Sequence, residues 1–175
     1  MAVPLKNMII RKEKECDFEA VNNLLLAAFE DEGEAKLVSA LRIKASPVIS
    51  LVAEIHDKIV GYIMFSPVKI TGHEDFKIMG LAPVAVLPEH QNKGIGAALI
   101  NEGLDNCRKL GFQAAVLLGH AEYYPRFGFK QSTKFGLICP YEGVPPECFM
   151  AKELFPGSLS KVSGQILFHP AFSEL

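Results

Sequence analysis

The stretch from Leu81 to Leu110 constrains this chain more than any other, because it passes from apolar run to glycine-bearing turn to amphipathic helix without a break. Leu81-Ala82-Pro83-Val84-Ala85-Val86 is too apolar for an exposed segment and reads as a buried strand. Leu87-Pro88-Glu89-His90 then turns the chain into Gln91-Asn92-Lys93-Gly94-Ile95-Gly96. The spacing predicts a helix from Ala97 to a stop at Gly111, burying Leu99, Ile100, Leu104, Cys107 and Leu110. Without a Cβ, Gly94 and Gly96 let the backbone turn sharply and let a ligand approach the amides. The first turn of a helix carries unpaired N–H groups and a partial positive charge, so this loop suits a phosphate or diphosphate.

Spacing narrows the ligand. A Walker loop places its lysine after the last glycine, with Ser or Thr following, whereas Lys93 precedes Gly94. A dinucleotide fingerprint wants a third small residue three positions after Gly96, where Leu99 stands. What remains is Q-x-x-G-x-G after a hydrophobic strand, or a glycine-bearing turn that binds nothing. A second motif follows the buried run Gln113–Gly119: His120-Ala121-Glu122-Tyr123-Tyr124-Pro125-Arg126-Phe127-Gly128-Phe129, which contains Y-x-x-x-G-F. Both motifs, in this order, resemble the acetyl-coenzyme A site of the GNAT superfamily of N-acetyltransferases.

That resemblance implies an α/β (α+β) fold with a mixed, mostly antiparallel central sheet, a splayed parallel pair of strands and helices on both faces. It implies acetyl-CoA as cosubstrate, no metal, and transfer of the acetyl group to a primary amine of a small molecule or peptide. Pantetheine would pair with the backbone of Val84, Ala85 and Val86. The pyrophosphate would sit on the amides of Gln91, Asn92, Lys93, Gly94, Ile95, Gly96 and Ala97. Tyr124 aligns with the tyrosine that protonates the departing sulfur, while Tyr123 takes a position where the family varies. The family often draws its general base from a carboxylate on or near the splayed strand, yet Lys77–Val86 contains none. His120 is the nearest base, with a turn-capping role as the alternative; Glu122 and the acidic cluster Glu30, Asp31, Glu32 and Glu34 come after it. A non-catalytic acetyl-CoA sensor and a protein lysine or N-terminal acetyltransferase are the competing functions.

Length and composition bound the rest. The 175 residues predict one domain over 1–175, with a core of about 8–155 and a C-terminal strand and tail over 156–175. Hydrophobic residues at 49% and charged ones at 22% suit a soluble globular protein, and a net charge of -2 argues against nucleic acid as a partner. Cys16, Cys107, Cys139 and Cys148 form no metal-ligand or disulfide pattern. No membrane span or signal peptide is expected, so the chain is placed in the cytoplasm, with a homodimer as its candidate assembly.

Along the chain, Met8–Lys12 reads as a first strand. Asp17 is the expected N-cap of a helix bearing Phe18, Val21, Leu25 and Ala28, and a second helix runs from Glu34 to about Arg42. Ile49–Ile55 and Ile59–Val68 flank the polar turn His56-Asp57-Lys58 as a hairpin, with Pro67 predicted at a sheet margin. A return strand runs over Phe76–Val86. Beyond Phe129, strands are expected over Lys130–Cys139 and Glu147–Leu154, with a short edge segment at Gly164–Phe168.

Overall fold

The computed structural model of the chain describes residues 5–174. β1 (Met8–Lys12) leads into two helices, α1 (Phe18–Ala28) and α2 (Gly33–Lys44). β2 (Ile49–Ile55), β3 (Lys58–Ile70) and β4 (His73–Val86) then form an antiparallel meander, with β1 paired on the far side of β2. At the β2–β3 turn both His56 (φ 48°) and Asp57 (φ 61°) adopt left-handed backbone. Two such residues give the turn the twist that a tight hairpin requires.

After β4, α3 (Ile95–Lys109) crosses over to β5 (Ala114–Leu118), which lies parallel to β4. β8 (Phe149–Glu153) pairs antiparallel on the other side of β5, and β6 (Lys130–Gln131) pairs with β8. β7 (Leu137–Ile138) pairs with β9 (Gly164–Leu167), and β9 also bonds to β3 at Lys69 and Ile70. The sheet is mixed and mostly antiparallel, as expected.

Alternation along β3 divides the core. Ile63 and Phe65 face α3, where Ile95, Leu99, Ile100, Leu104 and Cys107 are buried against them. Tyr62 and Met64 face the other way, against Val21, Leu24 and Leu25 of α1 and Leu37, Val38 and Leu41 of α2. Each of these aliphatic side chains contributes about 1.5–3 kcal/mol when fully buried. Packing of this size, not helix propensity, fixes the axis of α3, since Gly96 and Gly103 lie within the helix. Gly103 is also the point of closest approach: a Cβ there would lie 2.2 Å from Phe65 Cε2. Beyond residue 155, β9 lies on β3 and Ala171 is buried beside α1 and α2.

Several expectations are corrected. The carboxylate of Asp17 does not cap α1; it accepts from both Nη groups of Arg11 and from the Lys14 amide. α3 begins at Ile95, because Gly94 (φ 87°) already serves as its N-cap. Leu110 is half exposed, since the helix has ended and Gly111 (φ 82°) turns the chain away. Pro67 sits inside β3, opposite Met79, at a point where β2 has ended and β9 has not begun. A residue lacking an N–H is tolerated there because no strand needs it. The segment 130–139 is not one strand: a 3-10 turn over Ser132–Phe135 and left-handed Gly136 (φ 71°) split it in two.

Candidate active site

The site begins where two neighbouring strands stop pairing. β4 and β5 are in register from Ile78↔Ala114 to Gly80↔Val116, and no further. β4 continues to Val86 and β5 to Leu118, so Leu81–Val86 turns one backbone edge toward a gap. A bulge marks the divergence: Ile63 pairs with Val84 and Phe65 with Leu81, leaving Ala82 and Pro83 together opposite Met64. An extra residue in one strand bends it and strengthens its twist, which swings the end of β4 away from β5. The sequence pattern alone does not locate this bulge.

The gap forms a cavity of about 610 Å3, within the range of small-molecule sites. Val84, Ala85 and Val86 line it along the strand, and Gln91, Asn92, Gly94, Ile95, Gly96 and Ala97 line it along the loop and first turn of α3. His120, Tyr123, Tyr124 and Arg126 close it from the segment after β5. Of the expected cofactor-binding residues and the two leading catalytic candidates, Tyr124 and His120, all line it except Lys93, whose Nζ donates to the Glu89 carbonyl at 3.0 Å and is held outside.

The loop is shaped by two left-handed residues, Asn92 (φ 60°) and Gly94 (φ 87°). Gln91 braces it: its side-chain Nε2 donates to the Val86 carbonyl at 3.1 Å, and its amide donates to Pro88 O at 3.3 Å. Among the described residues no protein acceptor meets the amides from Asn92 to Ala97. Six adjacent backbone donors thus surround the N-terminus of α3, where the helix dipole adds its positive end. A Cβ on Gly96 would find ordinary space, 3.5 Å from the Tyr123 hydroxyl and 3.8 Å from Val86 Cγ2.

Tyr124 opens a 3-10 turn, Tyr124–Phe127, that ends at left-handed Gly128 (φ 89°). Its ring is buried, packed edge-on to Tyr123 and Phe129 at centroid distances of 5.1 and 6.1 Å. Gly119 makes room for it, since a Cβ there would lie 2.3 Å from Tyr124 Cε2. Burial, with Tyr123 adding to it, pushes the Tyr124 phenol up to about 12, so it keeps its proton at neutral pH. The Tyr123 phenol is also raised by burial.

His120 is exposed and lines both this cavity and an adjoining one with Ala121, Glu122, Tyr123 and Arg126. Its carbonyl accepts from the Tyr123 and Tyr124 amides, so its backbone caps the turn while its side chain faces the cavities. The acidic cluster near α2 does not line either cavity. There, Asp31 accepts from the Gly33 amide and Glu32 pairs with Lys36. The more buried acids are committed elsewhere: Glu13 to Arg42, Ser50 and Tyr62, and both Asp17 and Glu54 to Arg11.

Three lining residues were not anticipated: His90, Ile100 and Arg126. Ile100 is one helical turn beyond Gly96, and Arg126 is three residues beyond Tyr123 within a helical turn. Each therefore shares a face with a residue already expected in the site.

Comparison with known proteins places the site in context. Residues 9–132 match the family described as acetyltransferase (GNAT) domain. The chain is 35% identical over 168 residues to the uncharacterized N-acetyltransferase YhbS of Escherichia coli (strain K12), covering 95% of this chain and 99% of that one. It is 38% identical over 145 residues to the uncharacterized N-acetyltransferase YjhQ of the same strain, covering 79% and 80%. The crystal structure of YhbS from Escherichia coli in complex with CoA superposes with a TM-score of 0.90 at 33% identity, covering 95% of this chain and 92% of that one. A GNAT family acetyltransferase from Brucella melitensis in complex with acetyl-CoA gives 0.78 at 38% identity, covering 94% and 97%.

Proposed function

This chain belongs to the GNAT acetyltransferase family, and from that premise we propose that it moves an acetyl group from acetyl-CoA to a primary amine of a small molecule or peptide. The observation that carries the reading is the fork: β4 and β5 part after Gly80 and Val116, and the residues of both motifs line the cavity that opens there. One relative crystallised with CoA and another with acetyl-CoA support the choice of donor. Pantetheine lies along Val84–Val86, whose backbone groups away from β3 have no strand partner, and the diphosphate meets the amides of Asn92–Ala97. Gln91 serves by bracing that loop, because its own amide is engaged.

The amine attacks the thioester carbonyl carbon, and a tetrahedral oxyanion forms. Collapse breaks the C–S bond while the nitrogen sheds its extra proton, leaving an amide and a thiolate; the thiolate takes a proton from Tyr124, and the proton shed by nitrogen restores the phenol by way of solvent. A phenol held neutral by burial is suited to that step, since it loses nothing to ionisation at physiological pH. The attacking nitrogen must first be unprotonated. A lysine-like amine near 10.4 is neutral in about one molecule in 10³ at pH 7, whereas an α-amino group near 8 needs little help. Of the two histidines lining the cavity, His120 stands at the Tyr123–Tyr124 turn and serves as the base, and the proton passes from it to solvent.

The test is release of free thiol from acetyl-CoA by the purified chain, screened against small amines and peptides. Binding without release in any mixture would support a sensor instead. Under conditions where chemistry limits the rate, Tyr124→Phe lowers kcat by about 10²–10⁴. Full activity in that variant would remove Tyr124 from the acid role.

A further inference from the structure

We propose that Arg126 is a phosphate anchor of this cavity, set in place by Tyr123; the assignment rests on the reading of the cavity as the acetyl-CoA site. Among the lining residues Arg126 alone carries a permanent charge, and no carboxylate is present. The other loop cation, Lys93, is turned outward onto the Glu89 carbonyl. A donor bearing a diphosphate and a ribose phosphate would therefore meet backbone dipoles and this one guanidinium.

The side chain is fixed at two points. Arg126 Nε donates to the Tyr123 carbonyl at 2.8 Å, and the guanidinium carbon lies 4.5 Å from the centroid of the Tyr123 ring. Among the described residues no carboxylate forms an ion pair with it, and neither Nη group meets a protein acceptor. An ordinary surface arginine loses much side-chain entropy when it binds; one already stacked and tethered loses less. Its two remaining Nη groups present a planar fork of the kind that matches phosphate oxygens. Position completes the case. The Tyr123 hydroxyl lies 3.5 Å from where a Cβ on Gly96 would be, so the Tyr123–Arg126 stack lines the same cavity directly beside the first turn of α3. Phosphates gripped by the loop amides therefore have this stack as a neighbour within the cavity.

Calorimetric titration of wild type and Arg126→Gln with CoA, dephospho-CoA and millimolar pantetheine tests the proposal. The substitution raises the dissociation constant for CoA roughly tenfold to a hundredfold, as loss of a charge-assisted hydrogen-bond pair does. Equal loss with CoA and dephospho-CoA, but none with pantetheine, assigns the anchor to the diphosphate; loss with CoA alone assigns it to the ribose phosphate. Arg126→Lys, which keeps the charge without the stack, recovers part of the affinity. Arg108→Gln, the same charge removed from the far end of α3, changes none of the three. Equal loss with all three ligands, or no loss with any, overturns the proposal. Failure of the wild type to bind CoA at all would instead overturn the reading of the cavity.

Discussion

Tyr124 has Gly119, Phe127 and Phe129 around its ring, and this enclosure dictates how the rate responds to pH. With the phenol pushed up to about 12, kcat should show no descending limb from this group below about pH 11. A kcat–pH profile with a limb near pH 9 that vanishes in Tyr124→Phe would contradict it. The two loop glycines make a second residue-scale comparison. Gly94 adopts φ 87°, so Gly94→Ala costs about 1–2 kcal/mol of backbone strain and lowers Tm. Gly96 lies in α3 with room for a methyl group, so Gly96→Ala keeps Tm while weakening CoA binding, because the added group faces the ligand. Thermal melts beside titrations check both; equal melting losses in the two variants would refute the distinction. Residues of this kind were legible because their motifs are local. The Arg11 partnership of Asp17 was not, since an N-cap and an ion pair demand the same carboxylate, and only the turn that brings residue 17 back to Arg11 decides between them.

At the scale of elements, α3 holds the loop amides in place because it is pressed onto β3. The contact is tightest at Gly103, and Gly103→Ala should destabilise by about 1–3 kcal/mol as Phe65 is forced from its rotamer. Affinity for CoA should fall with it, because a lifted helix carries its N-terminus away. Denaturant unfolding and titration of the same variant test this, and unchanged values in both would show that Phe65 gives way freely. β1, α1, the hairpin at His56-Asp57 and the crossover to β5 could all be read from periodicity and turn chemistry. The strands expected near Glu147–Leu154 and Gly164–Phe168 also form, but the stretch Lys130–Cys139 could not be read. Its pieces take their shape from distant partners, β6 from β8 and β7 from β9, and a two-residue strand carries no period of its own. The splayed pair itself was implied by the resemblance, but the bulge behind it escaped for a related reason: Ala82 and Pro83 look like any apolar strand residues until Met64 is found opposite both.

For the whole molecule, buried phenols and a buried thiol set the alkaline boundary of stability. Burial raises Tyr62, brings Tyr124 to about 12 and brings Cys107 to about 12. Each group gives up its proton more readily unfolded, near 8.5 for the thiol and 10 for the phenols. Their contribution is complete below those values and is lost as pH climbs through the folded ones. Asp17 behaves oppositely: the Arg11 guanidinium holds it below the usual carboxylate range, so its contribution is present above about pH 3.9 and is lost on further acidification. Denaturant midpoints should therefore be flat between about pH 5 and 8.5 and decline on either side; a midpoint still rising at pH 10 would refute the alkaline half. The fork has one more consequence. A strand at the centre of a sheet ordinarily has every second amide locked on each side, yet the last six residues of β4 are locked on only one, making them an edge strand enclosed by its own protein. In deuterated solvent, the unlocked amides among Leu81–Val86 should exchange orders of magnitude faster than those of Ile78–Gly80 in the free protein, and slow sharply once CoA is added.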